Sequence, residues 1–317
     1  MTRRKFLHHA TAAAAASALA RHSVAASARS DAIPAIDTHI HLYDPTRPQG
    51  VPWPPKSESI LYQTYLPDRF TAAVAPSSVA GAVVVEASSW IEDNQWILDL
   101  ARNHPVIVGV VGRLAPGKPE FAGHLRRFAA DPLFRGIRIG GTAIKNVVAG
   151  AFVDDLLRLS DHDLALDING NATMLRDIVE LARLTPRLRI VINHLPHKEF
   201  DGDPAALRAA FAPVAALPNV YAKVSAVLRR VNDKVVDDSA YYRAGLDVIY
   251  ELFGPRRLFY GSNWPVSERV GPYSTVHRVV SDYFTAKGRA VAENFFWRNS
   301  LAAYRWQPRG AAAALVP

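Results

Sequence analysis

Two histidines stand two residues apart in IDTHIHLYDP, at His39 and His41. At the period of a strand both imidazoles point the same way. Neutral imidazoles so placed can give two ligands to one divalent metal ion; a hydrogen-bonded histidine pair near a loop is the plain structural alternative. Asp37, at the same period and deeper, is placed to orient one of the rings. His194 closes RIVINHL in the phase of Ile190 and Ile192. It reads as a third ligand, as a general acid or base beside a bound water, or as a histidine capping its strand. Asn263 sits in LFYGSNWPV where a bulky apolar run gives way to a loop. Its amide neither takes up a proton nor carries charge.

Charged groups end other apolar runs: Glu86, Arg113, Arg138, Asp167 and Lys223, with Asn169 just beyond Asp167. Core strands do not end on ionisable groups again and again unless those ends share a wet pocket. Arg138 alternates with Gly136 and Gly140 in FRGIRIG, small neighbours that leave room for a long side chain or a ligand. Cations in a pocket bind a carboxylate or stabilise a developing oxyanion. The competing reading pairs Arg113, Arg138 and Lys223 internally with Glu86 and Asp167.

Elements must bring these residues together. From residue 33 the runs 33–42, 81–87, 105–114, 134–141, 164–170, 189–195, 220–226 and 258–264 are rich in β-branched residues. Between them lie stretches such as IEDNQWILDLARN and NATMLRDIVELARL, apolar at i, i+3, i+4 and i+7. Eight strand–helix units predict an α/β protein, a single-domain (β/α)8 barrel with catalytic groups at the C-terminal strand ends. An open doubly wound sheet is the rival, but no Gly-rich dinucleotide fingerprint follows the first strand, so no nucleotide cofactor is expected. Residues 43–66 form a long Pro-rich loop whose Trp53, Tyr62 and Tyr65 suit a cover over the site.

Of 317 residues, 49% are hydrophobic and 21% charged, which suits a globular protein with a large core. No cysteine is present, so disulfides and thiolate ligands are excluded. The first 28 residues carry Arg3, Arg4 and Lys5, an Ala-rich stretch, and a cleavage site of small residues at Ala26-Ser27-Ala28. That order predicts a twin-arginine signal peptide over residues 1–28, export to the periplasm and no stable membrane anchor. The segment holds four of the charges behind the net +8, leaving +4 on residues 29–317. No basic run with interleaved aromatics appears, so nucleic acid is not an expected partner. A barrel domain over residues 29–306 and a flexible C-terminal tail over 307–317 complete the expected organisation.

IDTHIHLYDP, GVPWPP, YLPDRF, FRGIR, INHLPH, NVYAKVSAV, LFYGSNWPV and NSLAAY occur in the order found in amidohydrolase-related, metal-dependent TIM-barrel hydrolases. From Ile33 to Tyr304 the chain resembles the branch of that family acting on sugar lactones and dicarboxylate lactones. The resemblance implies a hydrolase opening a small carboxylated or sugar lactone, with lactone isomerisation, non-oxidative decarboxylation or a catalytically degenerate periplasmic binding protein as alternatives. It implies His39, His41 and His194 as metal ligands, zinc first among the ions. It implies His39, His41, His194, Asn263 and Asp167 as catalytic residues. At the strand ends and on the long loop, Arg138, Arg113, Lys223, Glu86 and Trp53 are expected to bind a small anionic substrate. Relatives carry aspartate where this chain has Asn263, which removes an anionic ligand and a base. Homo-oligomers occur among them.

Overall fold

A computed structural model describes residues 32–195, 199–200 and 202–316. The expected signal peptide and its cleavage site lie outside the described residues. From Pro34 onward the described residues form one compact unit.

Eight parallel strands run β1 (Ala35–Ile40), β2 (Val79–Val85), β3 (Ile107–Gly112), β4 (Phe134–Gly140), β5 (Ala165–Asn169), β6 (Arg189–Ile192), β7 (Val220–Val224) and β10 (Leu258–Tyr260). Each expected run contains its strand, apart from the first two residues of β2. A two-stranded hairpin, β8 (Arg229–Val231) and β9 (Lys234–Val236), interrupts the series after β7. Helices such as Glu92–Asn103, Met174–Leu184 and Ser239–Phe253 alternate with the strands. Parallel pairing follows from this alternation, because each connecting helix covers the sheet and returns the chain to the same end. The fold is a (β/α)8 barrel.

The seam between β10 and β1 is closed by mixed means. Backbone bonds join Asn263 N to His39 O at 2.9 Å and His41 N to Trp264 O at 2.8 Å. Deeper in, the Thr38 hydroxyl donates to Tyr260 O at 2.5 Å. The Asp37 carboxylate accepts from Ser262 N at 2.9 Å and His39 N at 3.1 Å. The register of β1 against β2 shifts between Asp37 and Ile40. Asp37 therefore lies toward helix Tyr273–Ala286, where the Tyr273 hydroxyl donates to it at 3.0 Å. It orients the backbone of His39, not either imidazole, and that part of the sequence reading is corrected. Strict alternation fails once a bulge adds a residue to one strand.

The apolar interior includes Val83, Val111, Ala165, Val191 and Phe259, with Tyr304 and Trp306 packed against them. The expected flexible tail is also corrected. Residues Gly310–Leu315 form a 3-10 helix, Ala312 is fully buried in the same cluster, and Gln307 N donates to Val108 O at 2.8 Å. Small alanines carry no amphipathic pattern, so the sequence did not reveal a docking surface cut to their size. Among the described residues no helix is long and apolar enough to cross a membrane.

Candidate active site

At the C-terminal ends of the strands lies a cavity of about 400 Å³, walled by His41, Trp53, Glu86, Arg113, Arg138 and Asn169, with His194 and Asn263. Strand ends supply most of this wall because consecutive β/α loops diverge there. Trp53 comes from the long 43–66 loop, and its ring stands 5.8 Å from His41 and 5.5 Å from Tyr43.

His39 and His41 meet as their spacing predicts, Nε2 to Nε2 at 3.2 Å. His41 Nδ1 lies 2.9 Å from the Val85 carbonyl, which only accepts, so Nδ1 carries the proton and Nε2 is a bare acceptor. His39 Nε2–H then donates to it. Burial holds the His39 imidazole well below its ordinary range, and charge on the neighbouring His194 or Lys223 would push it the same way. Burial, then the Arg138 cation, brings His41 down to about 3. Burial therefore favours the neutral form of both rings. His194 tilts over His39 with ring centres 4.2 Å apart, and its Nδ1 lies 3.1 Å from the Ser225 hydroxyl. His39 can pack this tightly against β10 because residue 261 is glycine: a Cβ there would meet His39 Cβ at 2.8 Å.

Asn263 takes a left-handed conformation, φ +62°, which asparagine adopts more readily than most residues. It is nearly buried, and its side chain hydrogen-bonds His41.

The charged residues divide into two groups. Arg138 Nε donates to Glu86 Oε1 at 2.9 Å, its Nη2 donates to the Glu86 carbonyl at 2.6 Å, and Arg113 Nη1 stands 3.7 Å from the same carboxylate. Two cations thus face one anion in the cavity wall. Lys223 and Asp167 belong elsewhere. Both are fully buried, joined at 2.7 Å, with Lys223 also on Asn193 Oδ1 at 3.0 Å and the Tyr304 hydroxyl donating to Asp167 at 2.7 Å. Neither lines the cavity; the two residues expected to act in catalysis and in substrate binding are instead paired with each other in the buried interior. Removing one partner of such a buried pair costs about 3–5 kcal/mol. Gly136 serves the backbone too, since a Cβ there would meet Ala165 O at 2.6 Å.

Sequence reasoning missed Ser225, which shares the phase of Lys223 on β7, and Ser88 and Ser89, which line the cavity beyond Glu86. The alternation of Lys223 with Ser225 was a usable signal. Nothing marked the two loop serines.

A family model described as amidohydrolase matches residues 36–306. The chain belongs to the amidohydrolase family. It is accordingly an enzyme, a hydrolase. Over 247 residues it is 30% identical to an L-fucono-1,5-lactonase of Burkholderia ambifaria, covering 75% of this chain and 82% of that protein. A second L-fucono-1,5-lactonase, from Burkholderia multivorans, is 27% identical over 295 residues, 88% of this chain and 98% of that one. A crystal structure of an amidohydrolase from Burkholderia multivorans with bound zinc shares the fold. Its TM-score is 0.76 at 23% identity, covering 86% of this chain and 99% of that one.

The donors present in this amidohydrolase do not fit a closed zinc site. Among the described residues no group of three or more His, Cys, Asp or Glu is arranged to hold a metal ion. The nearby carboxylates are engaged by Arg138, Lys223 and Tyr273. His39 Nδ1 is buried without a partner, whereas a ligating imidazole donates its second N–H to an acceptor. What remains is two adjoining neutral imidazoles and an amide beside a cation.

Proposed function

We propose that this amidohydrolase opens a small sugar lactone by water attack at the ring carbonyl. The observation that supports it most is the charge of the cavity wall. Arg113 and Arg138 share Glu86, so one positive charge is in excess beside neutral imidazoles. Hydrolysis places negative charge there twice, first on the tetrahedral oxyanion and then on the product carboxylate. Guanidinium donors fixed in advance lower the cost of that charge. The lactone is neutral and the aldonate is the anion, which refines the expected anionic partner. The Asn169 amide, the Ser88 and Ser89 hydroxyls and the Trp53 face suit a polyhydroxylated ring. The L-fucono-1,5-lactonase relatives point to the same substrate class.

His41 Nε2 is turned toward His39 and Asn263. His194, half-buried and in the wall, is the group left to activate water. Its ring takes a proton from water as oxygen bonds to the carbonyl carbon. The ring C–O bond then breaks, and the proton passes to the departing alkoxide oxygen. Positioned acid–base catalysis contributes roughly 10²–10⁴-fold. His194→Ala should therefore lower kcat by that factor on a panel of hexono- and pentonolactones, with KM changed far less. Wild-type turnover in that variant rejects His194 as the base; failure of the wild type on every lactone rejects the activity itself. The basic leader makes the periplasm the proposed place of action, and recovery of a mature chain starting near Arg29 in the periplasmic fraction is the check.

A further inference from the structure

The loop that brings Trp53 to the cavity is pinned on either side of that residue, by different means. Beyond Trp53, Tyr65 exchanges two backbone hydrogen bonds with Tyr43, of 3.0 and 2.9 Å. The Tyr65 hydroxyl donates to Glu268 at 2.8 Å, and the same carboxylate accepts from Trp264 Nε1 at 2.8 Å. Those bonds tie the end of the loop to the chain that follows β10. Before Trp53 the tie is Arg47. Its Nη1 and Nη2 donate to the two carboxylate oxygens of Asp93 at 2.9 and 3.1 Å, and Nη2 also reaches Gly50 O at 3.4 Å. The guanidinium lies 4.2 Å from the centre of the Trp96 ring. With side chains only 9% and 13% exposed, the Arg47–Asp93 pair is little screened by salt. Trp53 follows Gly50 by three residues, and Arg47, Pro52, Trp53, Asp93 and Trp96 wall one small interior space.

The carboxylate that Arg47 grips is itself fixed. Asp93 and Asn94 stand in the first turn of helix Glu92–Asn103. The buried Asn94 amide donates to Arg113 O at 2.9 Å and accepts from Arg113 N at 2.8 Å. Gly112 admits that approach, because a Cβ on residue 112 would run into Asn94 Oδ1. One helix turn therefore holds the strand end that bears Arg113 and, through Asp93, the loop that bears Trp53. Both of those side chains line the main cavity. A planar fork on a fixed carboxylate sets direction as well as distance, which a single ammonium cannot do.

We propose that Arg47 is a positioning residue: through Asp93 it sets where the Trp53 indole stands in the cavity wall, and so sets the affinity for the ring of a sugar lactone. This rests on the lactone reading above and adds to it the side chain that holds the cover in place. Arg47 acts on the substrate only through Trp53. Its effect on binding must therefore vanish once the indole is removed.

The test is a double-mutant cycle on the full chain: wild type, Arg47→Ala, Trp53→Ala and the double variant, with kcat and KM measured on hexono- and pentonolactones. Arg47→Ala should raise KM roughly three- to tenfold, part or all of one aromatic contact, with kcat within about twofold. In the Trp53→Ala background the same change should move KM by less than about twofold, because the two residues act as one unit. Equal increases in both backgrounds overturn the proposal, as does an unchanged KM in Arg47→Ala or a fall in kcat at constant KM. Arg47→Lys keeps the charge and loses the fork, and should raise KM about threefold with the same dependence on Trp53; it carries the cycle if Arg47→Ala does not fold. Acrylamide quenching of tryptophan fluorescence reads the same coupling without substrate. Replacing Arg47 should increase quenching more when Trp53 is present than when it is alanine. An equal increase in both backgrounds reports Trp96 alone and overturns the proposal. If no lactone turns over, the hydrolase reading fails on its own account, and the quenching difference still decides whether Arg47 positions Trp53.

Discussion

An amide at position 263 decides what the imidazoles beside it can be. Asn263 holds His41 through a neutral hydrogen bond, and burial with the Arg138 cation disfavours any further positive charge. An aspartate at the same backbone angle costs little, since both residues tolerate φ near +60°. Asn263→Asp would set an anionic oxygen against His41 and supply the donor that the site lacks. After dialysis and elemental analysis, wild type should retain substoichiometric zinc, while Asn263→Asp should approach one ion per chain. Equal zinc content in the two proteins would mean that the pocket is not poised for metal by any single change. At this scale the sequence revealed which residues bear chemistry, but not their partners. Glu86 and Asp167 look alike in sequence. One ends up in a cavity wall between two arginines, the other in a sealed pair with Lys223.

The long loop after β1 and the helix behind the seam each carry a prediction. Trp53 lines the cavity beside His41, with ring centres 5.8 Å apart, and carries no group that could move a proton to or from water. Trp53→Ala should raise KM for a sugar lactone roughly tenfold, about the worth of one aromatic contact, with kcat within a few-fold. A collapse of kcat at unchanged KM would show that the loop organises the chemistry itself. On helix Tyr273–Ala286, His277 is wedged among Tyr260, Tyr273 and Phe296, and its Nε2 has no partner. Burial lowers it from 6.5 to about 4. Between those values the unfolded chain binds a proton that the folded chain refuses. Stability is therefore full above pH 6.5 and is lost as pH falls toward 4, by about 3 kcal/mol for this residue. His41 and His39 act in the same direction. His277→Leu should give a shallower decline of the urea unfolding free energy between pH 6.5 and 4.5. An unchanged slope would show that His277 is not protonated differently on unfolding.

For the whole molecule, the closure of the barrel at the end remote from the site depends on the last ten described residues. Ala312 is fully buried, and Trp306 is 1% exposed beneath it in the same cluster. Ending the chain at residue 306 should cost about 2–3 kcal/mol of burial and backbone bonding. In a domain of this size that is a fall of roughly 3–5 °C in Tm. No change in Tm would mean that the segment only rests on the surface.

The sequence by itself determined the class of fold and the ring of residues at its mouth. Strand and helix periods are local properties of the chain, and eight strand–helix units leave few ways to bury their apolar faces. His39, His41, His194 and Asn263 were legible for the same reason: each ends an apolar run, and parallel strands bring such ends to one side. Only the tertiary structure decided what those side chains do. A register shift in β1 sent Asp37 to Tyr273, not to a histidine. Distance and burial, which no period encodes, sealed Asp167 against Lys223 and left Arg113 and Arg138 sharing one carboxylate.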